Sequence, residues 1–458
     1  MVDGNQERRG ACLLAIGDVH LGTRPGSLPE DLGEWGVDPR ELTPEAALEA
    51  AVDRAIELSV DAVLFSGDVV ESTNARFEAI RPLERAVQQL SDAGIRVLGV
   101  VGNHDVEALP RLARLVHGFE ILGEGGRWQS RVVETGGRPA FELLGWSFPE
   151  PQVHTSPLAN LLRDPPGAKH AGLPRLGVLH GDLDASGGPY APFTRRELDA
   201  VGLDAWLLGH IHKPSLGARP AGPGAIPCGY LGSLVGLDPT ETGLRGPWLI
   251  HLGAAGEIVP EQLQIARLRW EVLEVAVEEE EDPEDLGDRL LDEAERLARR
   301  IQGTGHSPRV LGVRVRLTGP TRAYEAIRGK VEQGAWSGTP RQVGETVVFI
   351  GKVIDGLELA LDLADLAKGN DPPALLARKL IALDGGGEDR RRLLDGAREE
   401  LGAVATEPRW APLAETRDAA DPLSDEALAA CLKQAGTIAL HALLSQRASA
   451  GTDAGGDA

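Results

Sequence analysis

From Cys12 onward the chain alternates short apolar runs with amphipathic stretches. CLLAIGD (12–18), DAVLFSGD (61–68), IRVLGVVGNHD (95–105), RLGVLHGD (175–182) and DAWLLGHIH (204–212) read as strands running into loops. Between them, AALEAAVDRAIELS (46–59) and RFEAIRPLERAVQQLSDAG (76–94) carry apolar residues at helical spacing. Thr43 is placed to cap the first of these helices, Pro44 suits its first position, and Gly94 stops the second. Strands alternating with helices predict an α/β layered domain over 10–268.

Near residue 270 the pattern changes. RWEVLEVAV (269–277) is a strand, followed by the acidic run EEEEDPEDLGD (278–288), which reads as a solvated approach to the helix DRLLDEAERLARRI (288–301). PRVLGVRVRLTG (308–319) and ETVVFIGKVI (345–354) are strands flanking the helix RAYEAIRGKVEQG (322–334). This β-α-β-α-β order predicts a small α/β domain over 269–355. Helical spacing then dominates 356–447, with DPPALLARKLIALDG (371–385), DRRRLLDGAREELGAV (389–404) and a long helix capped by Ser424. A proline-containing linker (405–422) precedes that last helix, and residues 448–458 are expected to be a disordered tail.

Composition narrows the class. The chain has 458 residues, more than one core needs, with 42% hydrophobic and 26% charged residues. Its three cysteines, Cys12, Cys228 and Cys431, lack disulfide or zinc-ribbon spacing and fit a reducing cytoplasm. The N-terminal segment does not read as a signal peptide, and no transmembrane helix is expected. Net charge is −23, with 24 Lys+Arg against 35 Asp+Glu in 1–270 and 23 against 35 in 271–458. A nucleic-acid partner would therefore need a local basic strip, bound metal ions or a second subunit.

The candidate chemistry lies in five blocks: GDVH (17–20), the GD of FSGDVV (67–68), GNHD (102–105), HGD (180–182) and GHIH (209–212). They supply Asp18, His20, Asp68, Asn103, His104, His180, His210 and His212, and five of the 11 histidines fall within them. Each block alone could be a turn. All five at strand ends point to a metal site. In an extended GHIH, His210 and His212 would face the same side. Imidazoles, carboxylates and one amide without thiolate suit manganese, iron or zinc rather than calcium or a structural zinc. Seven such donors exceed the needs of one ion and suit two, which together can acidify a water and stabilise displacement at phosphorus.

In this order the blocks resemble the calcineurin-like metallophosphoesterase superfamily, whose pattern runs D-x-H, G-D, G-N-H-[DE], H, G-H-x-H. The resemblance implies a four-layer αββα sandwich, here with the small α/β domain as a cap and a helical C-terminal segment. It implies that Asp18, His20 and His212 hold one divalent ion and Asn103, His180 and His210 the other. Asp68 would bridge them, and His104 would act as a non-ligand acid. Manganese is the expected metal, with iron or zinc as alternatives. The stretch HGDLDASGGPYAPFTRRELDAVGLDAWLLGHIHKP and the later CGYLGSLVGLDPTETGLRG are similar to the Mre11/SbcD-type DNA repair nucleases. That similarity implies a cytoplasmic, metal-dependent exo- or endonuclease acting on DNA. It further implies a possible SbcC/Rad50-like ATPase partner docking on the C-terminal helices, and a possible homodimer. The alternative is a small-molecule phosphodiesterase for a cyclic nucleotide or nucleotide conjugate, which suits the negative charge better. One departure stands out: Glu71 lies three residues after Asp68, where that branch has a histidine or aspartate. Asp105 and Asp182 are expected to brace loops or ligands. Arg195, Arg196 and Lys213 are candidates for phosphate contact. The insert TRPGSLPEDLGEWGVDPRE (23–41) reads as a surface loop.

Overall fold

The structure, a computed structural model, describes residues 10–71, 76–163, 165, 172–185, 187–217, 226–253, 256–305, 307–405 and 423–453. His170, His306 and nearly all of the 405–422 linker lie outside the described residues. The chain forms two compact units. The first comprises residues 1–275, 284–317 and 330–355; the second comprises 276–283, 318–329 and 356–458.

Two sheets build the first unit. One has the order β11-β10-β1-β2-β3-β4, from β1 (Ala11–Ile16), β2 (Ala62–Phe65), β3 (Arg96–Gly99), β4 (Phe119–Ile121), β10 (Trp248–Leu252) and β11 (Ile258–Gln262). β1 to β4 are parallel, and β10 joins β1 antiparallel. The other has the order β5-β6-β7-β8-β9, from β5 (Trp128–Thr135), β6 (Arg138–Trp146), β7 (Arg175–His180), β8 (Ala205–Gly209) and β9 (Cys228–Tyr230). β6 to β9 are parallel.

Period-two side-chain alternation decides the layers. Leu13, Ala15, Leu64 and Leu98 of the first sheet meet Phe141, Leu143, Leu176, Val178 and Leu207 of the second. The intervening residues face outward. Leu14, Ile16, Val63 and Phe65 pack with α1 (Pro44–Glu57) and α2 (Arg76–Asp92). Leu179, Trp206 and Leu208 pack with α4 (Leu158–Arg163) and α5 (Arg195–Val201). The result is the αββα sandwich. Strands covered on both faces need continuous apolar runs, as AVLF and AWLLG are. α1 starts as expected, with Thr43 Oγ1 accepting from Ala46 N at 3.4 Å and Pro44 next to it. A short helix, α3 (Leu109–Leu115), links β3 to β4.

The 23–41 insert is more than a surface loop. It winds through 3-10 turns at Leu32–Trp35 and Pro39–Leu42 that bury Leu32 and Leu42. Arg309 Nη2 donates to Gly36 O at 2.6 Å, and Arg267 pairs with Glu41.

A third sheet has the order β12-β13-β15-β14, from β12 (Leu268–Ala276), β13 (Val310–Thr321), β14 (Arg341–Val343) and β15 (Thr346–Leu359). α6 (Pro283–Gln302) and α7 (Tyr324–Glu332) lie between its strands in sequence. The acidic run enters α6 itself, because Glu284 and Asp285 in the first turn favour the positive end of the helix dipole. The second unit contains α8 (Leu363–Leu366), α9 (Pro372–Asp384), α10 (Glu388–Ala405) and α11 (Asp425–Asp453) around Leu380, Leu383, Leu394, Leu428 and Leu440. Ser424 Oγ caps α11 by accepting from Ala427 N at 3.3 Å. α11 runs through residues 448–453, where a tail is expected, and 454–458 lie outside the described residues. Within α11, Asp425–Leu444 has a mean hydropathy of 1.4, long and apolar enough by composition to span a bilayer. Leu428 and Leu440 of that stretch are buried against the helical core.

Candidate metal centre

All five blocks fall where parallel strands end. Asp18 and His20 follow β1, Asp68 follows β2, Asn103 and His104 follow β3, His180 closes β7, and His210 and His212 follow β8. Loops beyond the carboxyl ends of parallel strands are where α/β folds gather ligand-binding groups. The backbone there is sharply bent: φ is 52° at His20, 48° at Asp68 and 103° at His210. Such conformations cost a non-glycine residue about 1–3 kcal/mol and persist only when the surroundings hold them. Asp68 O accepts from both Val19 N and His20 N at 3.0 Å, and Asp18 Oδ1 accepts from His210 N at 2.9 Å.

The bend at His210 corrects the expectation for GHIH. An extended segment would aim both rings at one spot, but the chain turns at His210 and the rings part. His212 joins Asp18 and His20, while His210 joins Asp68 and His180. Within each trio the ligating atoms lie within 4.8 Å of one another. His20 Nε2 faces His212 Nε2 at 3.1 Å. Asn103 Oδ1 lies 3.0 Å from His180 Nε2 and 3.1 Å from His210 Nδ1, and Asp68 Oδ2 is 3.3 Å from His180 Nε2. Every residue expected to bind metal is thus in one cluster.

The cluster fits cations. Asp18 is 1% exposed, and its Oδ2 has no hydrogen-bond partner among the described residues. A buried carboxylate oxygen without a donor is a group that a cation satisfies. The far nitrogens of the rings are held as metal-binding histidines require. His20 Nδ1 lies 3.2 Å from Glu71 Oε2, His212 Nδ1 2.6 Å from Glu241 Oε1, His210 Nε2 3.2 Å from Asp182 Oδ1, and His180 Nδ1 3.0 Å from Ser66 O. Asp105 braces the loops, its two oxygens accepting from Gly102 N and Val69 N at 2.7 Å each.

Titration behaviour follows the same crowding. Burial alone would raise the Asp68 carboxyl, but His180 and the other histidines hold it well below the usual range. Burial disfavours protonated His180, yet the Asp68 and Asp18 carboxylates raise it to about 9. Burial and the neighbouring His180 charge push His210 down to about 4.

Glycines allow the close approach. Gly67 has φ +99°. A Cβ on Gly209 would lie 2.3 Å from Ser66 O and 2.7 Å from His180 Nδ1.

The sequence reading did not select Glu241, Tyr230 or Arg245. Glu241 sits in the PTETG element; besides His212, it accepts from Ser233 Oγ at 2.8 Å and Leu237 N at 3.1 Å. Buried Arg245 donates to His212 O and, at 3.1 Å, to Ser233 Oγ. Tyr230 OH donates to Gly181 O at 3.0 Å and accepts from Leu183 N at 2.7 Å, which fixes the loop after His180. Of the phosphate-contact candidates, Arg195 pairs with Asp199 at 3.4 Å, while Arg196 and Lys213 are exposed.

Two segments of the chain match known families. Residues 13–214 match the calcineurin-like phosphoesterase family, and residues 270–360 match the middle domain of metallophosphoesterase YhaO. The chain is 28% identical over 294 residues to an uncharacterized metallophosphoesterase YhaO of Bacillus subtilis, covering 63% of this chain and 67% of that one. It is 25% identical over 264 residues to a DNA double-strand break repair protein Mre11 of Aeropyrum pernix, covering 56% of this chain and 61% of that one. A dimetal phosphatase structure from Danio rerio superposes over 55% of this chain and 98% of its own, at 13% identity and a TM-score of 0.34.

Proposed function

Since residues 13–214 form a calcineurin-like phosphoesterase domain, we propose that this chain is a di-metal phosphodiesterase that cleaves DNA. Asp18, His20 and His212 would hold one divalent ion, and Asn103, His180 and His210 the other, with Asp68 between them; manganese suits this nitrogen and oxygen set, with iron and zinc as alternatives. Ions bound there supply Lewis-acid polarisation of a phosphoryl oxygen and acidification of a water. The chain's own part is orientation and proton transfer. Glu71, Glu241, Asp182 and the Ser66 carbonyl fix the four ligand rings. His104, whose side chain is 43% exposed, has Nδ1 engaged by Glu71 and Nε2 left to meet the leaving oxygen. The observation that carries the phosphodiesterase reading is the orphaned Asp18 oxygen amid four histidines whose far nitrogens are already held.

DNA is favoured as substrate by the likeness to Mre11 proteins and by a groove lined by α1 and α2. The groove, about 660 Å³, lies between the insert, α1 and α2; Arg24, Arg40 and Arg85 line it together with Glu45 and Glu49, and Arg40 pairs with Asp38 at 2.6 Å. Arg24 and Arg85 are the local cations there that a chain of net charge −23 would bring to a polyanion. That same charge favours the second reading, a small-molecule phosphodiesterase.

The third sheet, with α6 and α7, is proposed as a cap that positions DNA. The C-terminal helices are proposed to dock an SbcC/Rad50-like ATPase, a reading supported by the exposure of Leu375, Ile381 and Ile438. Homodimerisation is proposed on the resemblance alone, and a cytoplasmic location on the three free cysteines. The test is manganese-dependent degradation of end-labelled linear duplex DNA by wild type and His104→Ala. Degradation lost in the variant supports the nuclease. Hydrolysis of a small phosphodiester without DNA degradation supports the second reading.

A further inference from the structure

A second cavity, of about 210 Å³, is lined by three arginines, Arg245, Arg267 and Arg269, together with Gln264 and Ser307. Among the described residues no carboxylate lines it. The local sequence builds this wall. In LRGPW (244–248), Gly246 has φ +141°, and a Cβ there would collide with Leu263 O. The bare backbone packs onto that segment, and Arg245 beside it is only 4% exposed. In RLRW (267–270), Leu268 and Trp270 are fully buried, so period-two alternation turns Arg267 and Arg269 to the opposite face.

Arg245 is a buried cation that touches no counter-charge. Its Nη1 donates to His212 O and, at 3.1 Å, to Ser233 Oγ, and its Nη2 donates to Thr242 O at 3.2 Å. All three acceptors are neutral oxygens. Its Nε has no hydrogen-bond partner among the described residues. Burial lowers its pKa from the ordinary value by more than the Glu241 and Asp18 carboxylates restore. Buried charges are ordinarily paired. Arg267 does pair with Glu41, and Arg269 Nε donates to Glu271 Oε1 at 2.7 Å. The unmet positive charge in the cavity is therefore that of Arg245.

We infer that this cavity binds a phosphate-class oxyanion, with Arg245 as its buried contact and Arg267, Arg269 and Ser307 as further donors. A guanidinium presents its N–H groups in a planar fork that matches two oxygens of such an anion. The volume decides the size of the ligand. It falls below the roughly 300–1,000 Å³ of sites for drug-sized molecules, so the cavity takes a free phosphate or the phosphate end of a monoester. The site is argued from its own residues and stands without the phosphodiesterase reading. Because the same guanidinium holds His212 O, the anion is joined to the loop of a candidate metal ligand.

Calorimetric titration of the full-length, chelator-treated chain with orthophosphate at fixed ionic strength tests this. One saturable site per chain is expected. Arg269→Gln and Arg245→Lys should each weaken it about 10- to 100-fold, the worth of a hydrogen bond to a charged group. His104→Ala, in the metal cluster, should stay within about 2-fold of wild type. Arg269 lies outside the metal loops, so its variant decides the matter if urea unfolding shows that Arg245→Lys does not fold. Monomethyl phosphate separates the two sources: equal affinity marks a monoester end as the ligand, and exclusion marks the free ion. No saturable binding at millimolar phosphate overturns the inference. So does binding that both arginine variants keep and His104→Ala loses, since the anion then sits on the metal cluster.

Discussion

Replacing Glu241 with glutamine changes one atom and should weaken one metal ion and spare the other. Glu241 Oε2 accepts from Ser233 Oγ and Leu237 N, while Oε1 faces His212 Nδ1 at 2.6 Å. The serine hydroxyl already accepts from Arg245 Nη1, which commits its proton to Glu241. Two donors therefore hold the glutamine oxygen at the Oε2 position, and the NH2 must face His212. The imidazole can then remain only with its proton on Nε2, the nitrogen 3.1 Å from His20 Nε2 and directed into the cluster. Replacing a partner behind a metal-bound histidine costs about 10- to 100-fold in affinity. Because the amide cannot flip to rescue the tautomer here, the upper end is expected, about 100-fold or ~2.8 kcal/mol.

Calorimetric titration of the metal-free protein with manganese reads both sites. The ion at Asp18, His20 and His212 should weaken, and the ion at Asn103, His180 and His210 should bind within about 3-fold of wild type. Asp182→Asn, behind His210, should give the opposite pattern. Equal weakening of both ions in both variants, or no weakening in either, would refute the reasoning.

Three further outcomes follow from other parts of the molecule. Gly209→Ala should destabilise the first unit by about 1–3 kcal/mol, since the Ser66 carbonyl and His180 crowd the added carbon; an unchanged urea midpoint would contradict the close approach. Burial pushes the Cys228 thiol up to about 11, so at pH 8 only about 1 in 1000 molecules carries the thiolate there. Exposed Cys431 should react with iodoacetamide first, and labelling of Cys228 should rise about tenfold per pH unit between 8 and 10. Arg24→Glu and Arg85→Glu should each weaken duplex DNA binding and reduce its salt slope by about 1, with hydrolysis of a small diester unchanged. If slope and affinity stay at wild-type values, the groove does not carry the DNA backbone.

The candidate ligands are legible because each sits within three residues of a glycine that closes or follows an apolar run, and such runs have little choice but to become covered strands. Their supports were harder to read. Glu241 is 29 residues from the histidine it holds and sits in a loop without periodicity. PTETG marks a turn in the sequence, and only tertiary structure gives it a partner. GHIH failed in a different way: apolar alternation predicts extension, but it carries no signal for the positive φ that separates His210 from His212. The insert's apolar Leu32 and Val37 have no regular spacing in the sequence; they are buried all the same. Of β4 to β6, the β5–β6 hairpin has a sequence signal of its own, the Gly136–Gly137 turn between the two strands.

The division of the ligands between the sheets has an energetic consequence. The first sheet's loops supply Asp18, His20, Asp68 and Asn103, and the second sheet's supply His180, His210 and His212. Each trio mixes the two: Asp18 and His20 with His212, and Asp68 with His180 and His210. Neither sheet alone can assemble either site, so each ion binds only when the sandwich is closed, and its binding free energy adds to the stability of that closed state. At a free concentration 100 times its dissociation constant, one ion stabilises by about 2.7 kcal/mol, and two independent ions by about twice that. Urea unfolding followed by tryptophan fluorescence, with Trp206 and Trp248 buried in the sandwich, reads this in manganese against a chelator. The midpoint should fall on chelation in wild type and move less in Asp18→Ala. Identical midpoints with and without metal would mean that both sites form on one side of the sheet interface, against the geometry described above.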